Sequence, residues 1–271
     1  MKSHNRRIPR LFLDVRLRSD LIPLAKHQAH YLRRVLRLKA GDSVVLFNGT
    51  GDERQAILKD LDSDRPALQI TGSLTPLPEP PLELSLIQAL VKTDAMDMIV
   101  QKATELGVRT LIPVSTEFSV VKLDTERAAR RVAHWQKIAQ SACEQSGRHR
   151  PPTICSPQQL GTGLIEIAPR HVKLALHPGS AQPLHAVSVP TTTPTGVAIL
   201  IGPEGGLSNG DLQQADDAGF EKLTLGPRVL RAETAAVAAC VLVQSRWGDF
   251  KRVIPQASPR DAPCLESEDT R

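Results

Sequence analysis

Four prolines within six residues, Pro76, Pro78, Pro80 and Pro81, restrict this chain more than any other feature of its sequence. Proline fixes φ and has no N–H to donate, so the run Gly72 to Pro81 (GSLTPLPEPP) cannot continue a helix or a central strand. It reads as a stiff, extended linker. The chain is thereby divided into a unit at 1–72, a linker at 73–81 and a second unit at 82–250. The two units have different rhythms. In the first, the β-rich runs LFLDV, SVVLFN, QAIL and ALQITGSL alternate with turn signals at Asn48-Gly49 and Asp62-Ser63-Asp64, which predicts a small β-barrel. One helix from about Ala25 to Leu36 interrupts it and brings Arg33, Arg34 and Arg37 close together.

In the second unit strand and helix alternate. After LELSLIQAL, a helix from Asp94 to Leu106 carries an apolar stripe of Met96, Ile99, Val100, Ala103 and Leu106, and Gly107 stops it. Strand RTLIPV precedes a long helix from Asp124 to Ser146, which Gly147 ends. Further strands are predicted at VKLALH, VAILIG and KLTLG, and helices at Asp211 to Ala218 and Ala232 to Arg246. Such alternation implies an α/β unit with a largely parallel sheet. Residues 183–196 read as a surface loop, and 251–271, where Pro, Ser, Asp and Glu replace periodic apolar residues, as a disordered tail.

Several function classes are disfavoured. No run approaches the roughly 18 apolar residues of a membrane span, and MKSHNRRIPR is basic without a following apolar stretch. A cytoplasmic protein with no membrane partner is expected. The cysteines at 143, 155, 240 and 264 have no zinc-ligand spacing, so neither metal nor bridge is expected. The net charge is +5, yet residues 1–40 hold eleven Lys/Arg against Asp14 and Asp20, and the rest of the chain sums to −4. A segment so basic suits a phosphate backbone, and charge alone equally allows a solvated face.

Ligands of open parallel sheets bind beyond the carboxyl ends of the strands, where glycines let the backbone come close. Gly202-Pro203-Glu204-Gly205-Gly206 follows one strand, with Ser208 placed to cap the next helix. Gly226-Pro227-Arg228-Val229-Leu230-Arg231 follows another, and His177-Pro178-Gly179 a third. These turns lack the Lys and Ser/Thr of a P-loop, and Glu204 would repel a triphosphate. Gly161-Thr-Gly163 has Glu166 where a dinucleotide fingerprint needs its third glycine. A nucleoside with a short cationic substituent suits the lining better.

GPEGGLS, LGPRVLRAETA, KTDAMDMIVQKATELGV with LIPV, WQKIAQSACEQSGR, and near the start RIPR and HYLRRVLRLKAGD together resemble the family that methylates N3 of a uridine in 16S rRNA (RsmE type, SPOUT superfamily). The likeness runs from Arg7 to about Phe250. It implies a small PUA-like β-barrel domain that binds RNA, followed by a SPOUT α/β domain whose C-terminal chain forms a deep trefoil knot. It also implies a homodimer acting on 16S rRNA in the small ribosomal subunit, with S-adenosyl-L-methionine as cofactor. The cofactor would lie against Leu176, His177, Pro178, Ile201, Gly202, Pro203, Glu204, Gly205, Gly206, Leu225, Gly226, Pro227, Val229 and Leu230. Arg231, Glu233 and Thr234 would face the methyl group and the base. Lys92 and Arg148 are further candidates for the RNA side, and the likeness makes Arg10, Arg33, Arg34 and Arg37 phosphate contacts.

The chemistry makes its own demand. Uridine N3 carries an imide proton that must leave for the nitrogen to attack, so the site needs a proton acceptor or a cation beside the developing anion. Glu233 suits the first role and Arg231 the second. A first-turn carboxylate favoured by the helix dipole and a phosphate anchor are the plainer readings of the same residues. Two other activities remain open at this point: an RNA-binding or ribosome-assembly factor without catalysis, and a tRNA 2′-O-methyltransferase.

Overall fold

The computed structural model describes residues 8–59, 65–119, 124–180, 182–187 and 195–251. The Asp62-Ser63-Asp64 turn, part of the 183–196 loop and the tail after Lys251 lie outside the described residues. The first unit contains β1 (Arg10–Phe12), β2 (Leu21–Pro23), α1 (Lys26–Arg34), β3 (Ser43–Phe47), β4 (Glu53–Lys59) and β5 (Ala67–Leu74). The strands form one sheet in the order β1-β3-β4-β5-β2, antiparallel except between β1 and β3. The predicted Asn48-Gly49 turn joins β3 to β4, with Gly49 at φ 78° and the Asn48 Oδ1 accepting the Thr50 N–H at 3.1 Å.

The small β-barrel read from the sequence is a half-barrel. Among the described residues no ladder pairs β1 with β2, each only three residues long. The helix completes the core instead: Ala29 and Leu32 of α1 pack with Leu46, Leu58 and Leu68 of the sheet. β5 runs on to Leu74, into the stretch read as linker.

The second unit contains β6 (Glu83–Ala89), α2 (Thr93–Glu105), β7 (Thr110–Ser115), α3 (Thr125–Ser146), β8 (Thr153–Ile154), β9 (Gln158–Gln159), α4 (Leu160–Ile165), β10 (Val172–Leu176), β11 (Gly196–Ile201), α5 (Asn209–Asp217), β12 (Glu221–Leu223) and α6 (Ala232–Trp247). All strand pairs are parallel, in the order β12-β10-β11-β6-β7-β8, with β9 also on β7. Because side chains alternate across a strand, each strand feeds two cores. Leu84, Leu86, Val197 and Ile199 meet α2, α3 and α6 through Met96, Trp135 and Val243. Ile87, Ala89, Ala198 and Leu200 meet α4 and α5 through Leu164 and Leu212. Each Leu or Ile so buried contributes about 1.5–3 kcal/mol, which is why the strands read as apolar runs without polar alternation.

The units are joined along β1 and the end of α3. The Glu144 carboxylate accepts the Phe12 N–H at 3.0 Å, and Arg150 donates through Nε to the Gly49 carbonyl at 3.2 Å. Burial raises the Glu144 carboxyl above its ordinary value of 4.5, although the Phe12 hydrogen bond and the Arg10 charge pull it down.

Candidate active site

Strand order decides where a ligand site arises. β12, β10 and β11 are neighbours, so the segments leaving their carboxyl ends converge. With the start of α2 they line a cleft of about 960 Å³, at the upper end of the range for small-molecule sites. Its apolar wall comes from Leu176, Ile201, Leu223, Leu225 and Leu230, and its carboxylates from Asp94, Glu204 and Glu233. Lys92, Arg228 and Arg231 add cations at the same lining.

The turn after β11 is shaped by its glycines. A Cβ on Gly202 would lie 3.1 Å from the Gly206 carbonyl carbon and from Leu207, so a side chain there would push against the turn's own backbone. Gly206 takes φ 78° and donates its N–H to the Pro203 carbonyl at 2.9 Å. Ser208 caps α5 as its position suggested: its Oγ accepts the Asp211 N–H, and the Asp211 carboxylate accepts the Ser208 N–H, each at 3.0 Å. Glu204 is exposed, and its Oε1 accepts the backbone N–H of Lys92, the N-cap of α2, at 3.3 Å. The turn is thus tied to the helix across the cleft.

Arg231 is the N-cap of α6, with its side chain 87% exposed, and Glu233 lies in the first turn at 19%, the two 4.0 Å apart. A largely shielded carboxylate beside an exposed cation at the cleft wall is an arrangement suited to taking a proton while balancing a developing negative charge.

The structure brings Leu176, His177, Pro178, Ile201 to Gly206, Leu225, Val229 and Leu230 to the lining, together with Lys92, Arg231 and Glu233. Gly226 and Pro227 are exposed and stand outside it, Gly226 bending the chain at φ 95°; Thr234 is exposed on α6, also off the lining. Sequence reasoning missed Asp94, Met98, Leu223 and Thr224. Asp94 and Met98 are one helical turn apart, on a face of α2 other than its core stripe, and this i, i+4 spacing was the available signal.

Two arginines assigned to RNA are corrected. Arg10 pairs with Glu53 through both terminal nitrogens, lies over the Phe47 ring at 4.7 Å and is 10% exposed. Arg148 grips Glu79 of the linker at 2.8 and 3.0 Å and donates to the carbonyls of Thr104 and Val108. Both guanidiniums are committed to carboxylates inside the protein. Arg33, Arg34 and Arg37 are exposed on or just after α1.

Loss of hydration pushes the thiols of Cys143 and Cys240 up to about 12, so neither is a nucleophile at neutral pH. Among the described residues no group of three or more His, Cys, Asp or Glu is placed to hold a metal ion, and no helix is long and apolar enough to cross a membrane.

Residues 24–71 match the RNA methyltransferase PUA domain, and residues 78–244 the RNA methyltransferase domain. The chain is 31% identical over 248 residues to the ribosomal RNA small subunit methyltransferase E of Buchnera aphidicola from Acyrthosiphon pisum, covering 91% of this chain and 97% of the relative. A methyltransferase of Legionella pneumophila, solved with the cofactor S-adenosylmethionine bound, superposes with a TM-score of 0.84 at 35% identity, over 90% of this chain and all of that one. The ribosomal RNA small subunit methyltransferase E of Neisseria gonorrhoeae, also bound to S-adenosylmethionine, gives 0.81 at 36% identity over 90% and 99% of the two chains.

Proposed function

The chain belongs to the RNA methyltransferase family that includes the ribosomal RNA small subunit methyltransferases E, and from that premise we propose that it methylates N3 of a specific uridine in 16S rRNA, with S-adenosylmethionine as methyl donor. The observation that carries this reading is the convergence of three strand-end segments on one cleft with Arg231 and Glu233 at its wall. The cleft fits the donor on two counts: a volume of about 960 Å³ and carboxylates at Asp94 and Glu204 that suit a cationic ligand. Leu176 to Pro178, Ile201 to Gly206, Leu225, Val229 and Leu230 would hold it. When bound, it supplies a methyl group on a positively charged sulfur.

This chain's own residues then have two tasks. Glu233 takes the imide proton from N3, and Arg231 stabilises the negative charge that spreads onto the base carbonyls. A stacked base hides that edge, so the base enters the cleft extruded. Exposed Arg33, Arg34 and Arg37 hold the RNA backbone, which makes affinity fall with salt.

The same reading includes a trefoil knot and a homodimer in the cytoplasm. β12 is the sheet edge, yet α6 packs against α2 and over β11 and β6, so the chain recrosses the strand ends at Leu225 to Arg231. The Arg246 guanidinium then holds the carbonyls of Leu184 and Val187 in the segment after β10, consistent with threading beneath it. Met98, Val229 and Leu242 present exposed apolar side chains suited to a second copy.

The test is to treat small ribosomal subunits from cells lacking this protein with labelled S-adenosylmethionine and to identify the modified nucleoside by mass spectrometry. Label in 3-methyluridine of 16S rRNA is the expected result. Label on a ribose 2′-oxygen, or none, would overturn the assignment.

A further inference from the structure

We propose that Phe118 is a positioning residue for the RNA: a platform on which an unstacked nucleobase lies at the mouth of the cleft. The proposal rests on the reading of that cleft as an RNA-modifying site.

The chain has eight aromatic residues. Phe47, Phe220, Trp135 and Trp247 are buried in the cores, whereas Phe118 is 46% and Phe250 51% exposed. Phe118, just after β7, thus leaves part of an apolar ring open to a partner. The turn that carries it is fixed. The Ser119 N–H donates to the Thr116 carbonyl and the Thr116 N–H to the Ser119 Oγ, each at 3.1 Å, and the two hydroxyls meet at 2.9 Å. The Glu117 N–H points at both oxygens of buried Asp211, 3.4 Å from each, which locks the turn to the capping box of α5.

Its position is specific. The turn follows β7 at the carboxyl side of the sheet, and Phe118 lies against Gly205, a residue of the cleft lining. A Cβ on Gly205 would lie 3.0 Å from the Phe118 Cβ, so a bare glycine is what lets the phenylalanine seat against this edge of the turn; Phe118 itself is not part of the lining. Lys92, Arg228 and Arg231 on the same lining are exposed and supply cations for the backbone of a strand whose base rests on the ring. An aromatic face on a rigid turn, with cations around it, is the chemistry that receives unstacked bases irrespective of their hydrogen-bonding edge.

Three variants separate stacking from packing: Phe118→Ala, Phe118→Leu and Phe118→Trp. Methyl transfer to small ribosomal subunits is followed as KM for the RNA, and cofactor affinity is measured by calorimetry. Stacking predicts that Ala and Leu each raise KM for the RNA about tenfold, that Trp restores it, and that cofactor affinity stays within about twofold. If Leu equals Phe, the ring merely covers Gly205 and the proposal is wrong. A change in sedimentation of the Ala variant would instead make Phe118 a contact between copies of the chain, and that too overturns it. Should the wild type transfer no methyl group to the subunits, the functional reading fails, and stacking is decided separately with a single-stranded RNA carrying 2-aminopurine. Fluorescence quenched by the wild type and Phe118→Trp but not by Phe118→Leu upholds the platform; equal signals from all three refute it.

Discussion

At the scale of single residues, the site turns on a pair 4.0 Å apart whose members differ in exposure, Arg231 at 87% and Glu233 at 19%. The division of roles gives a sharp expectation. Glu233→Gln keeps the size and the helix but removes the proton acceptor, so single-turnover methyl transfer should fall about 10²- to 10⁴-fold with cofactor affinity unchanged. A rate within twofold of wild type would leave Glu233 as an ordinary first-turn carboxylate favoured by the helix dipole. The place of these two residues at the cleft was legible because they sit in a contiguous motif. The places of Arg10 and Arg148 were not, since their partners Glu53 and Glu79 are 43 and 69 positions away and only tertiary contact reveals that the charges are already paired. Phe118 escaped for the opposite reason: one aromatic in a loop carries no periodicity, and its meaning comes from Gly205, far along the chain, against which it lies.

At the scale of elements, local chemistry set most boundaries where the sequence placed them. Asp124 caps α3 by accepting the Arg127 N–H at 2.8 Å, and Gly147 ends it in the left-handed conformation at φ 90°. α4 was not foreseen, because LGTGLI has two glycines and six residues, too weak a helix to announce itself. It forms because Leu160 and Leu164 are buried against the sheet, a gain that propensity cannot register. Gly107 offers a test of the local rules. It ends α2 at φ 78°, and an added Cβ would meet the Pro80 Cγ and the Gln244 Nε2 at 2.8 Å. Gly107→Ala should therefore cost more than the roughly 1 kcal/mol of a left-handed alanine, because the linker proline must also give way. Chemical denaturation reads this directly; an unchanged midpoint would mean that Pro80 moves aside at no cost.

For the whole molecule, the decisive feature is the seam that makes one body from two units. Its carboxylate, Glu144 on α3, accepts the backbone N–H of Phe12 on β1, and burial holds its pKa above the ordinary 4.5 despite that bond and Arg10 nearby. The folded protein therefore keeps the proton to higher pH than the unfolded chain does. Linkage fixes the direction: this group's contribution is fully present below the ordinary carboxylate value, is lost as pH rises through the raised one, and is constant above it. Glu144→Gln retains an oxygen to accept from Phe12 and never ionises. Its unfolding free energy, measured against wild type by urea titration at a series of pH values, should gain on wild type across that window and then run parallel to it. Two curves parallel from pH 4 upward would mean that the carboxylate is solvated in the folded protein, and that the seam between the PUA unit and the methyltransferase unit is looser than the geometry at Phe12 implies.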